Sequence, residues 1–185
     1  MEGVKGLKVA ILIADGFEEV EMVEPKKTLD QAGARTNIIS PNLDQVRSWR
    51  HTDWGKNFPV DQRLNHARPD DFDALLLPGG VSNPDRLRME PKAVAFVKSF
   101  FDAGKPVAAI CHGPWIIVET GAARGRHVTS WPSLKTDLKN AGAEWVDQEA
   151  VVDGNLVTSR KPDDLPAFTK AMLDVFSRAR EKVTA

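Results

Sequence analysis

The segment PVAAICHGPWIIV, residues 106–118, joins a short apolar run to an apolar helical pattern, with a cysteine between them. Residues 106–110 carry no polar side chain, which is typical of a parallel strand buried on both faces. Apolar residues with helical spacing resume after Cys111-His112-Gly113 and continue through Val118. The segment therefore predicts a buried strand, a sharp turn at Cys111 and a helix.

The rest of the chain alternates predicted strands with predicted helices. A near-continuous apolar run predicts a strand at residues 8–14, and further strands are predicted at 34–40 and 72–77, with weaker candidates at 46–49 and 58–64. Helical spacing predicts helices at residues 17–32, 92–103, 132–140 and 163–180. Pro25 falls inside the first of these helices and is expected to kink it or to mark a restart. Strands that alternate with helices predict an α/β fold whose parallel sheet is covered on both faces.

Length and composition exclude several classes of protein. The 185 residues fit one domain, residues 1–185, and the 25 basic and 26 acidic residues give a net charge of −1 without long charged blocks. This balance argues against a dedicated nucleic-acid or membrane-surface binder, which would carry a basic stripe. The apolar run from Val9 to Ala14 is too short to span a membrane. We therefore expect a cytoplasmic protein.

Cofactor and metal motifs do not stand out in the sequence. The single cysteine, Cys111, excludes an intrachain disulfide and cannot supply a cysteine-cluster metal site alone. The sequence has no phosphate loop, dinucleotide-binding fingerprint or His-x-x-x-His spacing. We therefore predict neither a cofactor nor a metal.

Three segments that carry polar or glycine residues follow predicted strands. They are residues 15–18, residues 78–80 and residues 111–113. In parallel α/β sheets, ligands bind beyond the carboxyl ends of the strands. The sequence thus predicts that these segments meet at one edge of the sheet and form a site there.

Cys111 has the surroundings of a nucleophile at a strand-to-helix elbow. The small residues Ala109 and Gly113 stand two positions before and after it, and such a tight turn needs small flanking residues. A helix N-terminus at the thiol would favour the thiolate. The alternative is that Cys111 is a small buried apolar residue, which is common. Adjacency to His112 is not evidence of a catalytic pair, because neighbouring side chains on a helix diverge by about 100°.

Other residues at this edge also admit two interpretations. The N–H groups of Gly79-Gly80 suit an oxyanion hole, or the glycines simply end a strand. Glu19 and Glu21 are interpreted as a solvated helix start, where carboxylates are favoured in any case. Glu18 differs because the topology directs it toward the cysteine. Trp115 and Trp131 are candidates for the wall of a pocket, and His51 is expected at the surface.

Several motifs together resemble those of a known family. They are Phe17-Glu18-Glu19-Val20-Glu21, Leu77-Pro78-Gly79-Gly80, Ala109-Ile110-Cys111-His112-Gly113-Pro114, Glu144-Trp145-Val146-Asp147 and residues 151–160. In combination they resemble the PfpI family of intracellular cysteine-protease-like proteins, within the class I glutamine-amidotransferase-like superfamily. The resemblance runs from about Lys8 to Phe176.

This resemblance implies a fold and a set of site residues. The implied fold is a flavodoxin-like three-layer sandwich with a mostly parallel sheet and helices on both faces. Cys111 would be the nucleophile with His112 as its partner, and Glu18 would touch the sulfur. The N–H groups of Gly80 and His112 would form the oxyanion hole. Asp85 of a neighbouring subunit would orient the histidine, which implies a homo-oligomer, a dimer or a hexamer, with a shared active site.

Two departures from the family pattern concern Asp85. Protease-like members often carry glutamate at this position, and the chain has one additional residue between Gly80 and Pro84.

The resemblance also implies the class of activity. The expected function is stress-associated, cysteine-dependent hydrolysis of small carbonyls or early glycation adducts, of the deglycase or glyoxalase type. One alternative is an intracellular cysteine peptidase. The expected substrate is therefore a small molecule for the first activity or a peptide for the second. Another alternative is a non-enzymatic redox sensor or chaperone whose cysteine oxidises.

Overall fold

The computed structural model describes residues 3–183, with side chains as far as residue 178. Residues 1–2 and 184–185 of the predicted domain lie outside the described residues. The strands are β1 (Lys8–Leu12), β2 (Phe17–Glu18), β3 (Arg35–Ser40), β4 (Gln45–Arg50), β5 (Asp53–Pro59), β6 (Gln62–Arg63), β7 (Ala74–Leu77), β8 (Val107–Ile110), β9 (His127–Val128), β10 (Glu144–Trp145), β11 (Ala150–Asp153) and β12 (Leu156–Ser159). The helices are α1 (Glu19–Gln31), α2 (Ser82–Arg88), α3 (Pro91–Asp102), α4 (Pro114–Thr120), α5 (Lys135–Asn140) and α6 (Leu165–Val183).

Seven strands form the central sheet in the order β11-β12-β8-β7-β1-β3-β6. All neighbouring pairs are parallel except β11 and β12, which form an antiparallel hairpin. Leu77 pairs with Ala109, and Ile110 pairs with Ser159. This register places the carboxyl ends of β7, β8 and β12 side by side, next to the elbow at Cys111.

Each face of the sheet carries its own apolar core, because alternate residues of a strand point to opposite faces. On one face, Val9 belongs to the same buried cluster as Met22 of α1 and Phe168 of α6. On the other face, Leu12 belongs to a cluster with Phe100 of α3 and with residues of α4. Helices thus cover both faces of a mostly parallel sheet, and the predicted three-layer α/β sandwich is confirmed.

The first helix begins later than the sequence predicts. Phe17–Glu18 form β2, which pairs with β4 in a small second sheet completed by β5. The helix α1 starts at Glu19 and continues through Pro25, where the sequence predicts a kink or a restart. Pro25 is buried, so the packing of this face of α1 compensates for the hydrogen bond that proline cannot donate.

The segment after Gly79-Gly80 also differs from the prediction, which places one helix at 92–103. The structure has two helices there, α2 and α3, with a break at Glu90–Pro91. Proline disfavours a helical conformation of the residue before it, and the Glu90 side chain accepts the Lys92 N–H at 3.2 Å as an N-cap.

No helix among residues 3–183 is both long and apolar enough to cross a membrane.

Candidate active site

The backbone at Cys111 is strained. Cys111 has φ of +62°, a left-handed conformation that non-glycine residues rarely adopt and that costs about 1–3 kcal/mol. Both of its backbone polar groups are fixed, since its N–H donates to the Ser159 carbonyl at 3.0 Å and its carbonyl accepts the Trp131 N–H at 2.9 Å. Gly113 must be glycine, because a Cβ there would lie 2.5 Å from the Leu77 carbonyl oxygen. The predicted elbow is present.

Gly79 and Gly80 lie directly beside the cysteine. A Cβ on Gly79 would lie 2.6 Å from Cys111 Cβ, and Gly80 has φ of +76°. The N–H groups of Gly80 and His112 are directed at the Cys111 sulfur. The structure therefore brings together the two donors that the resemblance assigns to the oxyanion hole.

Asn83, at the start of α2, fixes the glycine loop. It is completely buried. Its Oδ1 accepts the Ala14 N–H at 2.7 Å, and its Nδ2 donates to the carbonyls of Pro78 and Gly79 at 3.0 Å each. One amide side chain thus ties the loop after β7 to the end of β1.

The acid next to the thiol is Glu21, and the prediction that Glu18 touches the sulfur is wrong. The Glu21 carboxyl lies beside the Cys111 thiol, and each group shifts the pKa of the other. It is fully buried, so its interpretation as a solvated helix-start residue is also wrong. Its Oε2 accepts the Gly79 N–H at 2.8 Å, while its Oε1 is bonded to no nitrogen or oxygen atom. The physical reason is the helix start, because α1 begins only at Glu19 and turns Glu21 inward.

Burial controls the protonation of Glu21. It raises the pKa of this carboxyl from 4.5 to about 8, although the hydrogen bonds from Cys111 and Gly79 act in the opposite direction. Glu21 is therefore mostly protonated at neutral pH. In that form it does not repel a sulfur anion and can donate a hydrogen bond to it.

Burial also raises the pKa of the Cys111 thiol, and the Glu21 carboxyl raises it further. The N–H groups of Gly80 and His112 lower it, but the net direction is upward. This is opposite to the effect that a helix N-terminus alone predicts. Three donors nevertheless converge on the sulfur once Glu21 is protonated, and they stabilise a thiolate when the proton is removed.

Glu18 lies in the same cavity but makes a different contact. It is 8% exposed, and its Oε2 accepts the backbone N–H of His51 at 3.3 Å. Burial raises the pKa of Glu18, while the His51 N–H lowers it. Glu21, not Glu18, is the acid beside the thiol. The Glu18 carboxyl lines the cavity, where it can contact a bound substrate.

His112 contacts Cys111 despite being its neighbour in sequence. Its Nδ1 lies 3.2 Å from Cys111 Sγ, because the left-handed conformation of Cys111 places the two residues outside regular helical geometry. The imidazole stacks on Trp131 with ring centroids 5.8 Å apart, and its Nε2 lies 3.5 Å from Ser133 Oγ. Burial lowers the pKa of His112 to about 4, so the ring is neutral at pH 7 and can accept a proton.

Asp85 is exposed on α2 and lines the same cavity, but within one chain no hydrogen bond joins it to His112 among the described residues. The group near the far nitrogen of the imidazole in this chain is Ser133. A role for Asp85 in trans therefore stays a prediction.

The cavity above the thiol has a volume of about 610 Å³. Its walls include Trp49 and Trp54 from the β4–β5 hairpin, together with Trp131. Trp131 was expected in such a wall, whereas Trp115, the other candidate, contacts the far side of His112 edge-to-face at 5.3 Å. His51 is exposed, as predicted, but it also lines this cavity.

Among residues 3–178, no group of three or more His, Cys, Asp and Glu side chains is placed to hold a metal ion.

The helical spacing of the sequence places Glu21 on the apolar face of α1, although it does not show what Glu21 contacts. Glu21 shares the buried face of α1 with Met22, Pro25 and Leu29, so it is an acid at a position where the helix is otherwise apolar. A buried carboxyl of this kind has a perturbed pKa and is a candidate for a functional role. Ser133 and Asn83 give no comparable signal, because their contacts form only between distant segments.

Comparisons with known proteins show the family to which the chain is related. The model of the DJ-1/PfpI family matches residues 7–175. The chain is 44% identical over 164 residues to Deglycase TK1284 of Thermococcus kodakarensis, covering 89% of this chain and 96% of that protein. It is 40% identical over 168 residues to YraA of Bacillus subtilis, which is named as a candidate cysteine protease, covering 91% and 97%.

A solved structure shows the same similarity. It is a two-domain protein of Anabaena variabilis with DJ-1/ThiJ/PfpI-like and ferritin-like domains, with a TM-score of 0.85 and 38% identity over 91% of this chain. The present chain spans 47% of that protein.

Proposed function

The chain belongs to the DJ-1/PfpI family, and on this basis we propose that it is a cysteine-dependent hydrolase of early glycation adducts. The substrates are adducts that a small dicarbonyl such as methylglyoxal forms with an amino group. The relative named Deglycase TK1284 supports this choice.

One observation carries the proposal, namely the set of groups around Cys111 Sγ. A neutral imidazole nitrogen lies 3.2 Å away, and the Glu21 carboxyl and the backbone N–H groups of Gly80 and His112 surround the sulfur. A sulfur so placed can attack a carbonyl or carbinol carbon, because the imidazole accepts its proton and the N–H groups stabilise an oxyanion.

In the first step, His112 Nδ1 takes the thiol proton and Sγ attacks the carbinol carbon of the adduct. The carbon–nitrogen bond breaks, and the amine leaves with the proton that His112 returns to it. The product on the enzyme is a hemithioacetal of the dicarbonyl with Cys111. This step needs no oxidant or reductant.

In the second step, a proton moves from the sulfur-bearing carbon to the neighbouring carbonyl carbon through an enediol, which gives a thioester of a 2-hydroxy acid. Glu18 faces the cavity and its pKa is raised, so it is the carboxyl suited to move this proton. Water then hydrolyses the thioester. The sum is adduct plus water giving the free amine plus lactate, when the dicarbonyl is methylglyoxal.

A cysteine peptidase is the second candidate function. The similarity to YraA favours it, and the same nucleophile and donors would serve acyl transfer. Against it, three tryptophans line the cavity, whereas a peptidase is expected to present a groove along the sheet edge.

We also propose that the protein is a cytoplasmic homo-oligomer in which Asp85 approaches the active site of a neighbouring subunit. Exposed apolar residues flank α2, since Val81 is 57% and Met89 is 80% exposed. Burial of these side chains against a second copy would be favourable.

A steady-state assay tests the proposed reaction. A methylglyoxal-treated amino acid, free methylglyoxal and casein are offered side by side to one metal-free preparation, and lactate, free amine and new peptide termini are measured. Cys111→Ala and a buffer blank serve as controls, because free aldehyde re-equilibrates with adduct spontaneously. We expect amine and lactate to appear together from the adduct, at rates well above both controls. Equal rates in Cys111→Ala would refute the proposal, and peptide termini alone would favour the peptidase.

A further inference from the structure

A second cavity of about 610 Å³ lies at the opposite edge of the sheet from Cys111. Lys105 and Pro106, which immediately precede β8, and Asn155, which precedes β12, line it. Cys111 follows the carboxyl end of β8. The two cavities are therefore separated by the length of a buried strand.

Three cations line this second cavity, namely Lys105, Arg126 and Arg178. None of them forms an ion pair with an acid whose side chain lies within the described part of the chain. The one acidic side chain in the lining is Asp73, and its Oδ2 accepts the backbone N–H of Lys8 at 2.8 Å. The cavity thus carries an excess of positive charge.

Arg126 is held in place before any ligand binds. Its Nε donates to the Ala122 carbonyl at 3.0 Å, and its Nη1 donates to the Asp153 carbonyl and to Asn155 Oδ1 at 3.3 Å each. Its guanidinium also lies over the Phe101 ring, 5.4 Å from the centroid. These contacts leave Nη2 without a hydrogen-bond acceptor in the described residues and fix its direction.

Lys105 is fixed in a similar way, since its Nζ donates to the Pro69 carbonyl at 2.9 Å. The rest of the cavity wall is apolar, with Phe101, Pro106 and Val175 among the lining residues. Positive groups beside an apolar wall fit a ligand that has an anionic end and an apolar body.

We propose that this second cavity binds an amphipathic organic anion. Arg126 and Arg178 hold the carboxylate or phosphate through charge-assisted hydrogen bonds, with Lys105 adding a third positive charge. The apolar or aromatic body of the ligand lies against Phe101, Pro106 and Val175. The site is independent of the cysteine chemistry, because none of its lining residues lines the cavity at Cys111.

Isothermal titration calorimetry with three matched probes tests this site. The probes are 2-naphthoate, 2-naphthyl phosphate and the uncharged 2-naphthamide. Methyl-resolved NMR of valine-labelled protein locates binding, since Val175 lines the second cavity and Val81 lines the cavity at Cys111. We expect the anions to bind at least tenfold more tightly than the amide and to shift the Val175 methyl signals. Comparison of the two anions shows whether a carboxylate or a phosphate is preferred.

Single substitutions then identify the groups involved. Arg178→Gln and Arg126→Gln should each weaken 2-naphthoate binding by about tenfold, since each removes a charge-assisted hydrogen bond. Arg124→Gln is the matched control, because Arg124 is exposed nearby but does not line the cavity. If Arg126→Gln fails to fold, Lys105→Gln combined with Arg178→Gln replaces it. Equal affinity for the amide, shifts confined to Val81, or affinity unchanged by these variants would overturn the proposal.

Discussion

The buried carboxyl of Glu21 lies beside the thiol of Cys111, next to the backbone of Gly79. A Cβ placed on Gly79 would lie 2.5 Å from Glu21 Oε2 and 2.6 Å from Cys111 Cβ, so the three residues occupy one tightly packed point. The acid and the thiol come from segments ninety residues apart in sequence. Their contact determines which protons are available to the reaction.

Glu21→Gln should change how stability depends on pH. The pKa of Glu21 is raised from 4.5 to about 8 in the folded protein. Its contribution to stability is therefore fully present below pH 4.5 and is lost as the pH rises toward 8, by up to about 1.4 kcal/mol per pH unit. Glutamine does not ionise, so the variant should gain stability relative to wild type across this range in urea unfolding. Glu24→Gln, exposed on the same helix, is the control, and parallel curves for Glu21→Gln would contradict the expectation.

Glu18→Gln should lower turnover without impairing the nucleophile. The Glu18 carboxyl faces the cavity and is not bonded to the thiol. Loss of a general acid–base group lowers kcat by about 100-fold or more. The rate of Cys111 alkylation by iodoacetamide should remain within about twofold of wild type, because the contacts of the sulfur are unchanged. A parallel fall in alkylation and turnover would show that Glu18 acts through Cys111.

Gly80→Ala should abolish activity, whereas Gly121→Ala should not. The two glycines have nearly equal φ values, +76° and +75°. A Cβ on Gly80 would clash with the carbonyl oxygen of Gly16 and lie 2.7 Å from the Glu18 nitrogen, whereas one on Gly121 meets nothing within 4 Å. Gly121→Ala therefore costs only the left-handed conformation, about 1–2 kcal/mol. Thermal unfolding and lactate release measure both effects, and an active Gly80→Ala would show that the glycine loop can accommodate a Cβ beside Gly16 and Glu18.

Mixing two inactive variants tests whether Asp85 acts in trans. We expect Cys111→Ala and Asp85→Ala each to be inactive alone. In a dimer that exchanges subunits, about a quarter of the sites recover at equal mixing, because a mixed dimer holds one intact and one doubly defective site. Each variant incubated alone through the same exchange protocol is the control. Full activity of Asp85→Ala, or no recovery despite verified exchange, would exclude the role.

Peroxide should oxidise Cys111 before the methionines. Among the described methionines, Met22 and Met172 are fully buried and Met89 is 80% exposed, so Met89 is the competing site. A sulfur that reaches the thiolate form is more readily oxidised than a thioether. Peptide mapping of wild type and Met89→Leu follows both sites. Oxidation of Met89 before Cys111 would show that Cys111 is not activated. Selective oxidation of Cys111 in a protein that turns over none of the proposed substrates would favour a redox sensor.

A strand or helix can be predicted from the sequence when the pattern that marks it is local, and it is missed when it depends on contacts with distant segments. Residues 9–14, 74–77 and 106–110 are apolar without interruption. Such runs reflect burial on both faces of a parallel sheet and can be recognised without knowing which segments pack against them. The short strands β9 and β10 have no such pattern, because two residues are too few to show a period. Cys111, His112 and Gly80 can be assigned to one edge of the sheet for the same local reason, since each lies within three residues of the end of a predicted strand.

The identity of the acid at the thiol was decided only by tertiary structure. Phe17–Glu18 pair with β4, so α1 begins only at Glu19. Successive residues of a helix differ by about 100° in direction. The residue at which the helix begins therefore decides which glutamate points inward. The amino-acid sequence by itself determined the strand-turn-helix unit and the cysteine at its turn, because apolar periodicity is local. The partners of that cysteine, Glu21 and the ring position of His112, depend on how separate segments pack, and packing energies are not encoded in any one segment.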